Sequence, residues 1–341
     1  MAYTVWGAFD KFRTDIVDLD PDVTKTGRSS RDHLVDQIKI VAKNNAAFPR
    51  LGGDYRPYGS FARRTKIRPL NDIDLLLVLR GSGTAETSAS GLNTYRLKIT
   101  DSTAPLAAYS EVASDWYFDT TKYVNSTKVL NAIKAGLVNV PSYRKADIKR
   151  TGVAVTLDLS SRPWVFDIVP AVAVVNSTGT TKYYLIPNGK GQWMRTDPRI
   201  DSTNVTTANT RHSSNLLPTL RLLKYWNGRT TKPRLESYYF ETLVLKTFAS
   251  GSVITGYPAA VKHFFDNGST HLWLSCPDPQ GLGPALDSTV DWETKNKVAV
   301  AMKEAATWAS YALMYDGKSD PKNAIYWWGR VFGGTFPAYG S

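Results

Sequence analysis

Residues 3–17 and 32–48 read as helices, and in the second Leu34, Ile38 and Val41 recur at helical spacing before an Asn-Asn break. Ser30, with Asp32 and His33 close by, offers the capping groups that open a helix. A Gly-Gly turn at Gly52 and Gly53, a short polar segment and the turn Tyr58-Gly59-Ser60 follow. Residues 73–79 (IDLLLVL) then form a nearly continuous apolar run closed by Gly81, the pattern of a strand buried on both faces.

Residues 81–105 are rich in Gly, Ser, Thr and Ala, which predicts an exposed loop. A helix is expected over 120–137, with Val124, Val129 and Ile133 on its apolar face. Strands are expected at 153–159 and 164–169, joined as a hairpin through 160–163, and at 183–186. From Pro198 the pattern turns helical, with helices expected at 216–226, 237–250, 257–265 and 290–315. The Gly-rich end, 333–341, reads as a mobile tail. An α+β fold follows: a mixed sheet with flanking helices over 1–197 and a helical lobe over 198–341, with the active site expected in a cleft between them.

Composition narrows the setting. No run approaches the roughly 20 apolar residues of a membrane span. The N-terminus lacks the basic and apolar stretches of a secretion signal, so a cytoplasmic protein with no membrane attachment is expected. The single cysteine, Cys276, excludes an intrachain disulfide and a cysteine-rich zinc site. Forty-two Lys and Arg against 30 Asp and Glu give a net charge of +12, which favours polyanionic ligands such as nucleic acids and nucleotide phosphates.

Candidate chemistry concentrates in YGSFARRTKIRPLNDIDLLLVL, residues 58–79. Asp72 and Asp74 stand two apart at the start of the apolar strand, so both project from one face. Side-by-side carboxylates repel unless a cation or proton lies between them, and hard divalent ions take such oxygen ligands together with substrate phosphates. Gly59 lets the backbone approach a phosphate, and the Ser60 hydroxyl and adjoining N–H groups, opening a short basic helix with Arg63, Arg64, Lys66 and Arg68, make an anion site. A third carboxylate is expected from a neighbouring strand. Asp167 in WVFDIVP is favoured over Asp158 because its flanks are more apolar and a Val-Pro boundary follows.

Gly-Ser, a short spacer, Asp-x-Asp and a distant third Asp resemble the fingerprint of the DNA polymerase β-like nucleotidyltransferases. Within them the chain looks like the bacterial CD-NTases, relatives of cyclic GMP-AMP synthase and oligoadenylate synthase. LRLLKYWN (220–227) and LESYYFE (235–241), then Pro277-Asp278-Pro279 and a long helix, are similar to that family's helical lobe. The resemblance implies that Lys224 and Ser237 contact the donor triphosphate. It implies that Asp72, Asp74 and Asp167 hold Mg²⁺ or Mn²⁺, with Asp167 nearer the acceptor hydroxyl. It further implies a monomeric enzyme that makes a cyclic or linear oligonucleotide messenger from ATP, GTP or other nucleoside triphosphates. Pyrophosphate would be released, and a downstream effector reached in CBASS anti-phage signalling. The zinc-binding His/Cys module of the animal DNA sensor is absent, since four dispersed His (33, 212, 263 and 271) and one Cys cannot build it.

Other readings fit the same residues. A template-independent RNA-tailing enzyme of the poly(A) or CCA-adding kind shares fingerprint and charge. A catalytically inactive nucleic-acid-binding relative would keep the fold, and a small antibiotic-modifying nucleotidyltransferase fits the length less well. Lys224 could be a solvated helix lysine, and Ser237 a helix cap.

Overall fold

The computed structural model describes residues 1–53, 55–112 and 120–341. Asp54, in the polar segment expected after Gly53, lies outside the described residues. Two compact units emerge: residues 22–62 with 70–198, and residues 1–21 and 63–69 with 199–341. They do not follow a single cut near 197. The N-terminal helix Val5–Phe12 buries Val5, Ala8, Phe9 and Phe12 among the C-terminal helices' apolar side chains, which is why it belongs with them. The 63–69 segment is tied to the N-terminal one: Asp18 and Ile67 form an antiparallel bridge, and Arg68 N donates to Val17 O at 3.0 Å.

The first unit is built on one mixed sheet. Its strands are β1 (Arg56–Pro57), β2 (Asp72–Leu79), β3 (Thr84–Ser88), β4 (Tyr95–Ile99), β5 (Ser110–Val112), β6 (Lys122–Val124), β7 (Asp147–Thr151), β8 (Ala154–Asp158), β9 (Val165–Val175), β10 (Thr181–Pro187) and β11 (Trp193–Thr196). The order is β1-β2-β9-β10-β11-β4-β6-β5, with β3 on β4 and β8 bridging β7 to β9. Among the described strands only β2 and β9 run parallel. From Leu75 to Leu79 β2 is buried without interruption, as an unalternating apolar run requires. Buried residues of β2, β8, β9 and β10 form a shared core, among them Leu76, Val169, Ala171 and Tyr184.

Several elements depart from the sequence reading. The predicted loop 81–105 contains the β3–β4 hairpin, whose Thr-rich, partly exposed positions carry little apolar signal. The helix expected from residue 32 begins eleven residues earlier, Pro21–Asn44, with proline at the first turn, where its missing N–H costs nothing. The helix expected from residue 120 starts only at Ser126, after β6; Asn125 caps it by accepting from Thr127 N at 2.8 Å and Lys128 N at 3.3 Å. The hairpin through 160–163 is present as the antiparallel β8–β9 pair.

The second unit is helical apart from the short bridge: Val5–Phe12, Pro198–Arg211, Leu216–Asn227, Ser237–Thr247, Tyr257–Trp273, Trp292–Gly317 and Pro321–Phe332. Its core centres on Phe9, whose ring meets Trp328 edge-on at 4.9 Å and Phe336 at 5.3 Å. Phe336 therefore anchors the tail expected to be mobile, and Ala2 N donates to Ser341 O at 2.9 Å. Among the described residues no helix is long and apolar enough to cross a membrane.

Candidate active site

The Gly-Ser turn meets β2 directly. Gly59 has φ +70°, in the left-handed region, and a Cβ added there would overlap the Asp74 carboxylate. Only glycine fits so tight a junction. The helix it opens is a single turn, Gly59–Ala62, so its dipole is small and the basic residues 63–68 lie beyond it rather than on it. What the turn offers an anion is close backbone approach and the half-buried Ser60 hydroxyl.

Strand register gathers the three acidic residues. In the parallel β2–β9 pair Asp74 lies opposite Asp167, and Asp72 opposite Val165. Register partners project from the same face of a sheet, as do residues two apart. Asp72, Asp74 and Asp167 therefore share a face, with Asp74 and Asp167 on strands about 4.8 Å apart. All three are partly buried. In the antiparallel β8–β9 pair Thr156 faces Asp167, and its hydroxyl donates to Asp167 Oδ1 at 2.8 Å. Asp158 is exposed on β8, a strand further from β2, opposite Val165 and Asp147. By register Asp167 lies one strand from β2 and Asp158 two.

Among the described residues no group of three or more His, Cys, Asp or Glu side chains is arranged to hold a metal ion. The Asp74 carboxylate occupies the space a Gly59 Cβ would fill, and Asp167 accepts from Thr156. The donor set nonetheless fits a hard cation: Mg²⁺ is ordinarily held by one or two carboxylates, with water and substrate phosphates completing its shell.

In the helical unit Lys224 and Ser237 converge on a residue that sequence reasoning missed. Glu241, 2% exposed, accepts from Lys224 Nζ at 2.5 Å and from Ser237 Oγ at 3.4 Å, both at Oε1. Arg63 Nη2 donates to Oε2 at 3.0 Å. Lys224, at 8% exposure, is thus no solvated helix lysine. Ser237 is the first residue of its helix, with Glu236 at the cap position, so its side chain serves Glu241 rather than capping. Burial opposes the charge on Glu241, but Arg63 and Lys224 outweigh it and hold the carboxyl below its usual range. Burial pushes the Lys224 amine down more than Glu241 lifts it, and Arg63 and Lys66 push the same way. The two directions are compatible, because one carboxylate is shared between two cations. A Glu four residues beyond Ser237 was visible as a helix i,i+4 neighbour; Arg63, 178 residues away, was not.

The lone cysteine, Cys276, is buried, and burial raises its thiol, as for an inert core residue.

No protein-family model matches the chain. A Bacillus cereus (strain VD146) protein named "Probable cyclic nucleotide synthase" is 37% identical over 342 residues, covering 99% of each chain. Similar solved structures include E. coli MS115-1 CdnC with ATP, at TM-score 0.70 and 16% identity over 98% of this chain and 99% of that one. A mutant of the Vibrio cholerae dinucleotide cyclase DncV, in complex with ATP and GTP, matches at TM-score 0.68 and 11% identity over 99% and 98%. The structural likenesses establish the fold; the full-length relative establishes kinship and favours a synthase over an RNA-tailing or inactive protein. The chain belongs to the family of that full-length relative, the cyclic nucleotide synthases, and has the fold of CdnC and DncV.

Proposed function

We propose that this chain joins nucleoside triphosphates such as ATP and GTP into a cyclic or linear oligonucleotide messenger through Asp72, Asp74 and Asp167. The observation that carries this reading is the β2–β9 register, which sets Asp167 beside Asp74 with Asp72 on the same face. One or two carboxylates of this set, with substrate phosphates completing the shell, would hold a divalent cation, Mg²⁺ or Mn²⁺, which when bound supplies Lewis-acid charge to the phosphate oxygens. Gly59 admits the triphosphate to the backbone, and Ser60 donates to a phosphate oxygen. In the helical unit Lys224 and Ser237, which both bond Glu241, are the proposed nucleotide-binding residues. Asp167, held by the Thr156 hydroxyl, accepts the proton of the acceptor hydroxyl. That oxygen bonds to the α-phosphorus as the bond to pyrophosphate breaks.

The reading places a monomeric enzyme in the cytoplasm, its product acting on a downstream effector in anti-phage signalling. Purified protein incubated with mixed triphosphates and Mg²⁺, and no primer, tests it. Pyrophosphate and an oligonucleotide product are expected from the wild type and from neither Asp72→Asn nor Asp74→Asn. Product that forms only when an RNA primer is added contradicts the synthase reading.

A further inference from the structure

We propose that a cavity on the face of the sheet turned away from Asp72, Asp74 and Asp167 binds a small phosphate monoester through Arg162, Tyr143 and hydroxyls of the helix Pro21–Asn44.

The cavity, of about 300 Å³, lies wholly within the sheet unit. Its helical wall is a polar stripe: Thr26, Ser29, Ser30 and His33 stand at i, i+3, i+4 and i+7. Ser30 and His33, expected to open a helix, thus lie inside one. A mid-helix Ser or Thr often donates to the carbonyl four residues back, as Thr26 does to Asp22 O at 2.8 Å. Ser29 and Ser30 make no side-chain hydrogen bond among the described residues, so both hydroxyls stay available to the cavity.

From other elements come Tyr143, Ser161 and Arg162. Tyr143, in the short turn Pro141–Tyr143, is 4% exposed, and its hydroxyl has no hydrogen-bond partner among the described residues. Burial pushes that hydroxyl up to about 12, so it serves as a donor at neutral pH. A buried hydroxyl left without a partner is costly, and a ligand in the cavity would supply one. Arg162 lies in the β8–β9 turn, its guanidinium 5.8 Å from the Trp164 ring, which steadies the charge without neutralising it. Arg162 forms no ion pair among the described residues, and no carboxylate lines the cavity. Asp32, on the same helix, is engaged elsewhere, accepting from Arg31 Nη2 at 2.8 Å and from the Tyr55 hydroxyl at 3.1 Å. Asp22 and Asp36, about a turn before Thr26 and after His33, stand outside the lining. An arginine with this many hydroxyls offers more donors than two carboxylate oxygens can use, and suits the three terminal oxygens of a phosphate. The volume exceeds a bare phosphate and reaches the low end for small-molecule pockets, leaving room for the esterified group beside Leu159.

Gly27, on the same helix, packs against the side chains of Leu70 and Ile73. Ile73 alternates with Asp72 and Asp74 along β2, so the helix covers the reverse of the sheet. Phe166 and Leu157, in register with it on β9 and β8, share that reverse face. A ligand held here leaves the carboxylate face open.

Magnetic resonance of the His33 ring, identified by its loss in His33→Gln, tests the site. The protein is titrated without Mg²⁺ with inorganic phosphate, ribose 5-phosphate, AMP and adenosine. Ribose 5-phosphate or AMP should shift the His33 signal saturably at millimolar concentration, and adenosine should not. Arg162→Gln should weaken that binding about 10- to 100-fold, the range for a charged hydrogen bond, and Tyr143→Phe about 3- to 10-fold. Both variants keep the packing, since Arg162 is exposed and Tyr143→Phe removes only the unpartnered hydroxyl. Ser60→Ala, altered on the other side of the sheet, should bind as the wild type does. Tighter binding of AMP assigns the site to a nucleotide, and binding of ribose 5-phosphate at least as tight assigns it to a sugar phosphate; either supports the proposal. No saturable shift with either ester, an equal response to adenosine, or undiminished affinity in Arg162→Gln contradicts it.

Discussion

Gly59 is the residue at which conformation and chemistry are least separable. Its left-handed backbone costs a non-glycine residue about 1–2 kcal/mol, and any side chain would push into the Asp74 carboxylate. Gly59→Ala should therefore lower the melting temperature and abolish product formation together, whereas Gly53→Ala, with open space around it, should do neither. A fully active Gly59→Ala enzyme would show that the turn does not govern Asp74. Ser60→Ala is expected to slow turnover by roughly 10- to 1000-fold, as for one donor to a charged transition state, while leaving the melting temperature unchanged. Normal turnover would make Ser60 only a turn residue. These residues were legible because a short-range pattern encodes them: Gly-Ser, then Asp-x-Asp leading into an apolar run. Asp167 was legible as a charge within an apolar strand, which needs a reason to be there. The pairing of Arg63 with Glu241 was not, because it joins residues far apart in the chain and no local pattern encodes it.

At the scale of elements, the strength of the apolar signal separates what could be read from what could not. β2 and the helices Leu216–Asn227 and Tyr257–Trp273 announce themselves through buried faces. The β3–β4 hairpin is largely polar and buries few side chains, so its pattern reads as loop, and the polar helix Pro198–Arg211 has too little apolar periodicity to be placed individually. The early start of Pro21–Asn44 was hidden because Ser30 and Asp32 mimic a cap inside a continuous helix. Asn125 is the true cap, five residues after the predicted start at 120. Asn125→Ala should destabilise the sheet unit by about 1 kcal/mol, the usual value of a lost N-cap, without changing the product. Chemical denaturation checks this, and an unchanged midpoint would show the cap to be dispensable.

Across the whole molecule, the division of the chain reflects burial rather than sequence order. Residues 1–21 and 63–69 join the C-terminal helices because Phe9, Phe12 and Ile67 find their apolar neighbours there. Phe9→Ala, which empties a site beside Trp328 and Phe336, should cost about 3–5 kcal/mol, read as a fall in melting temperature; a fall of less than a degree would mean that the aromatic cluster contributes little. The net charge of +12 suits a polyphosphate substrate, and the proposed function assigns its chemistry to three acidic residues inside that basic chain. The most direct measurement is therefore mass spectrometry of products, with pyrophosphate release, from ATP and GTP incubated with Mg²⁺ and either wild type or Asp167→Asn. An oligonucleotide from the wild type and none from a folded Asp167→Asn protein is the result predicted by the β2–β9 register. Equal product from both would mean that the carboxylate beside Asp74 takes no part in the transfer.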